Sequence, residues 1–351
     1  MTRYWWVFLL AAPLFAILLA GVKVYYSIQI WEYQGPEVVF EVRPGEGFSS
    51  INSRLANQDL ISSAKLFYRY AQINNLTTKF KAGQYQITPG TNMIKMFDLL
   101  ISGKAITVDV TIPEGKNLFE IAEIVSKTGA CSKEDFIKKA TDPTFVKSLG
   151  INAERIEGYL YPETYKLNPN TPAENLIKSM LSVFKNKTQG LNLDQNPIGL
   201  TPHQVIILAS IVEKETGAKS ERPKIAGVFI NRLKKKMRLQ SDPTTIYGIW
   251  EQYNGNLRKK DLLEYTPYNT YKIAGLPKGP ISNPGRESIK AVLEPEVHKY
   301  LYFVSQNDGT HIFSETYSKH NEAVNTYQKN SRNRQGKSWR DLNKKSNEAN
   351  P

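Results

Sequence analysis

The chain of 351 residues contains a single cysteine, Cys131, and only four histidines. One cysteine cannot close a disulfide within the chain, so cysteine usage does not indicate a redox compartment. The histidines show no metal-ligand spacing, and they are His203, His298, His311 and His320. The sequence therefore predicts no metal site and no cofactor.

Acidic residues are scarce relative to basic ones: 33 Asp and Glu against 46 Lys and Arg give a formal net charge of +13. The excess is spread along the chain, with short runs such as Lys234–Lys236. Nucleic acid is a common partner of so basic a protein, but the long uncharged segment at the N-terminus predicts a membrane anchor, which argues against one. An anionic polymer or an anionic membrane surface is the better candidate, and a merely solvated basic surface is an equal alternative.

The N-terminal segment between Tyr4 and Val22 contains no charge and is long enough to span a bilayer as a helix. Aromatic residues flank it, as they do at membrane interfaces. A cleaved signal peptide is the alternative, but it would need a shorter apolar region and small residues at the cleavage site. The sequence favours an uncleaved anchor at residues 4–26, a cytoplasmic tip at residues 1–3, and the body of the chain on the other side of the membrane.

Strand-like and helix-like patterns follow a tether at residues 27–37. Residues 38–105 predict a small αβ module with glycine-containing turns, and residues 106–165 predict a second one. Residues 166–330 contain long helical patterns and loops rich in Pro, Gly, Asn and Tyr, which are typical of a functional site. The polar and basic residues 331–351 predict a disordered tail.

The most informative segment is Thr201–Gly217, with the sequence TPHQVIILASIVEKETG. Its threonine is a good N-cap, Gln204 completes a capping box, and the final glycine is a plausible stop. Residues 205–212 are apolar apart from Ser210, so the helix is expected in a core. The segment therefore predicts a buried helix that ends in two carboxylic acids.

Glu213 and Glu215 lie on nearly opposite faces of this helix, so only one can share a given cleft. Glu215 extends the apolar row of Val205, Leu208 and Val212. Burial and the negative end of the helix dipole both disfavour ionisation, which raises the pKa of such a carboxyl and suits a general acid. The alternative interpretation is that both glutamates only cap the solvent end of a core helix.

Several motifs, in one order, resemble the endolytic murein transglycosylase family, also called YceG-like. They are KAGQYQITPG, IEGYLYPETY, LASIVEKETG, VFINRLKKKMRLQSDPTTIYG, YNTYKIAGLPKGPISNPG and YLYFV. The resemblance covers about residues 38–327, and the anchor stands in the matching place. The tail has no clear family counterpart.

The resemblance implies an α+β protein with an N-terminal transmembrane helix, a LysM-like αβ module at 38–105 and an α+β catalytic domain at 166–330. It implies a bacterial inner-membrane enzyme with a periplasmic body. Such an enzyme cleaves the MurNAc-GlcNAc β-1,4 bond within peptidoglycan strands, leaves 1,6-anhydro ends and sets the length of nascent strands. Expected partners are these strands, the membrane and, as candidates, peptidoglycan synthases, but no nucleic acid.

By the same resemblance, Glu215 matches the catalytic glutamate. The expected substrate-binding residues are Gln240, Asp242, Tyr247, Tyr268, Asn269, Tyr271 and Asn283. The residues alone leave alternatives: a turn or helix start for Asp242, core packing for the two tyrosines of YNTY, and a loop-holding role for Asn269. Asp242 facing Glu215 would permit a muramidase, which adds water. A non-catalytic wall-binding scaffold is the third interpretation.

Overall fold

The computed structural model describes residues 5–215 and 217–329. The chain forms two compact units, one with the residues up to Val108 together with Lys166–Pro169, the other with Asp109–Tyr165 and the residues from Asn170 onward. Most of the predicted module at 106–165 thus shares a compact unit with most of the predicted catalytic domain. The predicted cytoplasmic tip and basic tail lie outside the described residues.

The apolar N-terminal segment forms one long helix, α1 (Trp5–Tyr25), followed by a π-helical turn at Tyr26–Ile30. The stretch Ala11–Ile30 is long and apolar enough to cross a membrane, and its side chains are almost entirely uncovered by the protein. Large apolar side chains such as Leu18 are exposed. The predicted helix is confirmed, and because a signal sequence has the same length and composition, its role as an anchor stays a prediction.

The rest of the first unit is a small mixed module. Its elements are β1 (Glu32–Tyr33), β2 (Val38–Val42), α2 (Phe48–Asn57), α3 (Ala64–Ile73), β3 (Gly83–Ile87), β4 (Thr91–Asn92) and α4 (Met93–Ser102). β2 pairs antiparallel with β3, and β1 with β4. The helices close a core in which the Phe67 and Phe97 rings stack at a centroid distance of 4.1 Å. Residues 38–105 thus contain both strands and helices, as the sequence predicts, and their LysM-like character stays a prediction.

The remaining elements contain more helix than strand. They are β5 (Val108–Thr111), α5 (Leu118–Lys127), α6 (Lys133–Ala140), α7 (Pro143–Ser148), β6 (Thr164–Leu167), α8 (Ala173–Thr188), α9 (Pro202–Glu215), α10 (Arg222–Lys234), α11 (Asp242–Gly248), α12 (Lys259–Leu263), α13 (Arg286–Leu293), β7 (Tyr302–Ser305), β8 (His311–Ser314) and α14 (Tyr317–Val324). β5 pairs with β6, and β7 forms an antiparallel hairpin with β8.

Helix α9 is the buried helix that the sequence predicts. The Gln204 backbone N–H donates to Thr201 Oγ1 at 3.3 Å, and the Thr201 N–H donates to Gln204 Oε1 at 2.9 Å, which confirms the capping box. Every residue from Val205 to Glu213 is buried, and α10, α11 and α13 pack around the helix. Its last residue is Glu215, so the core of this unit fixes where that carboxyl lies.

Candidate active site

Glu215 is half-buried and lines a cavity of about 350 Å³. The other residues of the cavity wall come from α10, α11, α14, the hairpin and two loops, and they are Arg232, Leu239, Gln240, Asp242, Tyr271, Tyr302, Phe303, Tyr317 and His320. The structure thus brings Glu215 together with three of the predicted substrate-binding residues, Gln240, Asp242 and Tyr271.

The surroundings of Glu215 favour its protonated form. Burial raises the pKa of Glu215 from an ordinary value of 4.5 to about 7. A hydrogen bond from Ser241 lowers this pKa, the neighbouring Asp242 carboxylate raises it, and the Arg232 cation lowers it. Because the pKa lies close to neutral pH, the same carboxyl can give a proton and take one back.

Ser241 contacts the acid directly, since its hydroxyl donates a hydrogen bond to Glu215 Oε1. The residue occupies the N-cap position of α11, where a serine oxygen usually accepts a backbone N–H. Here the side chain makes no cap bond, because it is turned towards the carboxyl instead. The sequence alone does not single out this serine, because the tripeptide SDP is typical of any helix start.

Ser241→Ala should change both the rate and its pH dependence. Without the hydrogen bond the pKa of Glu215 rises further, so the fall of kcat/KM as the acid deprotonates should move to higher pH. We expect kcat to drop about 10–100-fold, since a hydrogen bond to a charged group contributes about 1.5–3 kcal/mol. Initial rates on purified peptidoglycan across pH test this. An unchanged profile would contradict a functional bond, and Ser305→Ala, in β7, is the matched control.

Asp242 and Gln240 add polar groups to the cavity wall. The Tyr271 hydroxyl donates to Asp242 Oδ1 at 2.7 Å, which fixes an exposed carboxylate beside Glu215. Gln240 has a φ of 49°, a left-handed conformation that residues with a side chain rarely adopt. Such backbone strain is found at functional sites more often than elsewhere, and it supports the predicted role of Gln240.

Asn269 is fully buried and does not line the cavity. Its Nδ2 donates to the Glu264 carbonyl at 2.6 Å, and its Oδ1 accepts from the Tyr271 N–H at 2.9 Å and from Thr245 Oγ1 at 3.0 Å. The side chain therefore holds the loop that carries Tyr271. The loop-holding interpretation matches this position, and substrate contact by Asn269 stays a prediction.

Tyr247 and Asn283 meet at a second buried carboxyl, Glu157. Glu157 accepts from the Leu118 N–H at 2.9 Å, from the Tyr247 hydroxyl at 3.0 Å and from Asn283 Nδ2 at 2.6 Å. Burial raises the pKa of Glu157 to about 7. Tyr247 and Asn283 are buried and absent from the wall of the Glu215 cavity. Their hydrogen bonds connect the structural elements around Glu157 instead.

Tyr268 also lies away from the Glu215 cavity. Its ring meets the Tyr247 ring edge-on at a centroid distance of 4.7 Å. Both rings line a different cavity of about 530 Å³, together with Trp250 and Arg155. Contact of Tyr247, Tyr268 and Asn283 with substrate stays a prediction, and the geometry gives none of them a place beside Glu215.

Glu213 has different surroundings from Glu215. Its carboxylate forms a buried ion pair with Arg222 at 2.6 Å and accepts the Gly285 N–H at 2.9 Å. Arg222 also reaches Glu114 at 3.2 Å. The predicted separation of the two glutamates is confirmed, and the interpretation that both only cap a solvent-exposed helix end is wrong, because Glu213 is buried.

Residues 40–326, which include Glu215 and its whole cavity wall, match the YceG-like family. The chain belongs to the YceG-like family. This YceG-like protein is 34% identical over 306 residues to the endolytic murein transglycosylase of Bacillus subtilis (strain 168), covering 83% of this chain and 84% of that protein. It is 28% identical over 318 residues to the endolytic murein transglycosylase of Streptococcus pneumoniae serotype 2 (strain D39), covering 82% of this chain and 58% of that protein.

A solved structure supports the same assignment. The crystal structure of a yceG-like protein from Listeria monocytogenes is 35% identical in sequence and superposes with a TM-score of 0.57. The match covers 82% of this YceG-like chain and 99% of the Listeria chain. The family resemblance that the sequence motifs indicate is therefore confirmed, as is a mixed helix and sheet architecture.

Proposed function

We propose that this YceG-like protein is an endolytic murein transglycosylase, a lyase that cleaves the MurNAc-GlcNAc β-1,4 bond within peptidoglycan strands. The observation that carries the proposal is the position of Glu215, a carboxyl with a pKa of about 7 in the wall of a polar cavity. Family membership and the name of the Bacillus subtilis relative support the substrate.

In the proposed reaction, one carboxyl transfers the proton in both directions. Protonated Glu215 gives its proton to the glycosidic oxygen while the bond from that oxygen to C1 breaks. The resulting carboxylate takes the proton of the muramic C6 hydroxyl, whose oxygen bonds to C1 and closes a 1,6-anhydro ring. The enzyme ends protonated as it began, no water is consumed, and the intramolecular attack gains from proximity.

Three neighbours of Glu215 have supporting roles in this proposal. Ser241 orients the carboxyl through its hydrogen bond. Asp242, held by Tyr271, provides negative charge near the sugar carbon at which positive charge develops, and the acetamido group of the substrate assists it. Gln240 presents an exposed amide to sugar hydroxyl groups.

A muramidase is the second candidate, and the presence of Asp242 in the same cavity favours it. Glycosidases that add water use a pair of carboxyl groups, one as acid and the other as base or nucleophile. Mass analysis of the products from purified sacculi separates the two reactions. We expect 1,6-anhydro ends, lighter by one water than hydrolysed ends. Reducing muramic ends alone would show a hydrolase, and no fragments at all would favour a binding scaffold.

The first unit has a separate proposed role. α1 is proposed as a single-pass anchor in the inner membrane, with a cytoplasmic N-terminus and a periplasmic body, and its exposed apolar side chains support this. The module around β2 and β3 is proposed as a LysM-like glycan binder. The tethered enzyme is proposed to cut nascent strands near the membrane, beside peptidoglycan synthases. A reporter fused after residue 30 should be active only in the periplasm, and cytoplasmic activity would refute this topology.

A further inference from the structure

The Glu215 cavity contains a cation that the proposed proton transfers do not use. Arg232, on α10, lines the cavity and is only 8% exposed. Within residues 5–215 and 217–329 no carboxylate forms an ion pair with its guanidinium. A buried charge is costly unless it is paired or hydrogen-bonded. The hydrogen-bond partners of this guanidinium therefore indicate which of its nitrogens is available to a ligand.

Backbone carbonyls hold most of the Arg232 guanidinium in place. Nε donates to the Leu301 carbonyl at 2.6 Å, and Nη1 donates to the carbonyls of Leu239 at 2.7 Å and Arg238 at 3.4 Å. Nη2 makes no hydrogen bond to any residue that the structure describes, although it carries two N–H bonds. A cation is thus fixed in one plane beside the acid, with one nitrogen left for a ligand.

Aromatic rings complete this part of the wall. The Tyr302 ring centroid lies 5.3 Å from Arg232 Cζ, and His320 stacks on Tyr302 at 5.2 Å with an interplanar angle of 22°. Burial and the Arg232 cation lower the pKa of His320, which favours the neutral imidazole. The guanidinium is therefore the positive charge that this wall presents to a ligand.

We propose that Arg232 Nη2 binds a carboxyl oxygen of the lactyl group of muramic acid, and so distinguishes muramic acid from glucosamine. The inference rests on the proposed function, because it concerns the same substrate. The C3 lactyl ether is what muramic acid has and N-acetylglucosamine lacks. Its carboxyl group is a free carboxylate in bare strands and an amide carbonyl in peptide-bearing ones. Arginine binds either oxygen, and the carboxylate more strongly.

The test compares three probes on the full chain with Glu215→Gln, which prevents turnover. The probes are glycan strands with free lactyl carboxylates, the same strands with these groups converted to methylamides, and chitohexaose, which lacks the lactyl group. Adding Arg232→Gln should raise the Kd of the carboxylate strands about 10–100-fold. It should raise the Kd of the methylamide strands less and leave the Kd of chitohexaose unchanged.

An equal loss with all three probes would overturn the inference, since Arg232 would then only shape the cavity, and so would no loss with any probe. Arg232→Lys, which keeps the charge, should recover part of the affinity for the carboxylate strands alone. If circular dichroism shows both variants unfolded, competition with the wild-type chain decides. N-acetylmuramic acid should then inhibit sacculus cleavage more strongly than N-acetylglucosamine, and equal inhibition refutes the contact. A wild-type chain that cannot cleave sacculi refutes the proposed function instead.

Discussion

Glu215→Gln is expected to abolish the release of soluble fragments from purified sacculi. The expected loss in kcat is about 10²–10⁴-fold. The amide keeps the shape of the side chain and can still accept the Ser241 hydroxyl. It can neither donate an acidic proton to a glycosidic oxygen nor remove one from a hydroxyl. Because sugar contacts in the cavity remain, the variant should still bind sacculi, and fragment release together with co-sedimentation measures both properties.

The control for this variant has to be a glutamate that contacts nothing in the cavity. Glu294, at the end of α13, is well exposed and makes only a weak ion pair with Lys290 at 3.9 Å. Glu294→Gln should therefore retain full activity. A Glu215→Gln chain that releases fragments at the wild-type rate would refute the catalytic assignment, and one that no longer binds sacculi would point to damaged folding.

Glu213→Gln is expected to cost about 3–5 kcal/mol of the free energy of unfolding. The change leaves Arg222, which is 4% exposed, without its closest charged partner. Glu114 stays within 3.2 Å of Arg222 but is 37% exposed, and two guanidinium nitrogens, Nε and Nη1, already have no hydrogen-bond partner among the described residues. The compensation is therefore only partial. Denaturant unfolding followed by circular dichroism measures the loss.

Two further variants separate the buried ion pair from charge loss in general. Glu123→Gln removes an exposed partner of Lys133 and should change the free energy of unfolding by no more than about 1 kcal/mol. The double change Glu213→Leu with Arg222→Met should recover much of the stability, because no lone charge remains buried. If Glu213→Gln is stable but inactive, the roles assigned to the two glutamates are reversed.

Local sequence patterns predict the part of the site that a single segment forms, which is helix α9 with Glu215 at its end. The capping box and the apolar row of α9 are properties of consecutive residues, so the sequence indicates both the helix and the burial of Glu215. The same periodicity separates Glu215 from Glu213. The hairpin of β7 and β8 is equally local, since it needs only two strand-like runs and a turn.

The rest of the cavity wall depends on tertiary packing and has no comparable local signal. Arg232 stands beside a run of lysines and looks like a solvated charge, whereas packing buries it. In the sequence, Ser241 has the pattern of a helix cap. Its hydroxyl binds Glu215 instead only because tertiary packing places the end of α9 beside it. Tyr247, in α11, and Asn283, in a loop, both lie in polar, aromatic stretches of sequence of the kind found at functional sites. Their side chains nevertheless hold the interior together around Glu157.

Glu215 should titrate near neutral pH, and carbon-13 NMR of chains labelled at the glutamate carboxyl tests this most directly. Two carboxyl signals, from Glu215 and Glu157, should titrate at about 7, far above the ordinary value of 4.5. Glu215→Gln should remove one of them and leave the other. If every glutamate titrates near 4.5, or if Glu215→Gln leaves both high-pH signals in place, the account of Glu215 as a two-way proton carrier is contradicted.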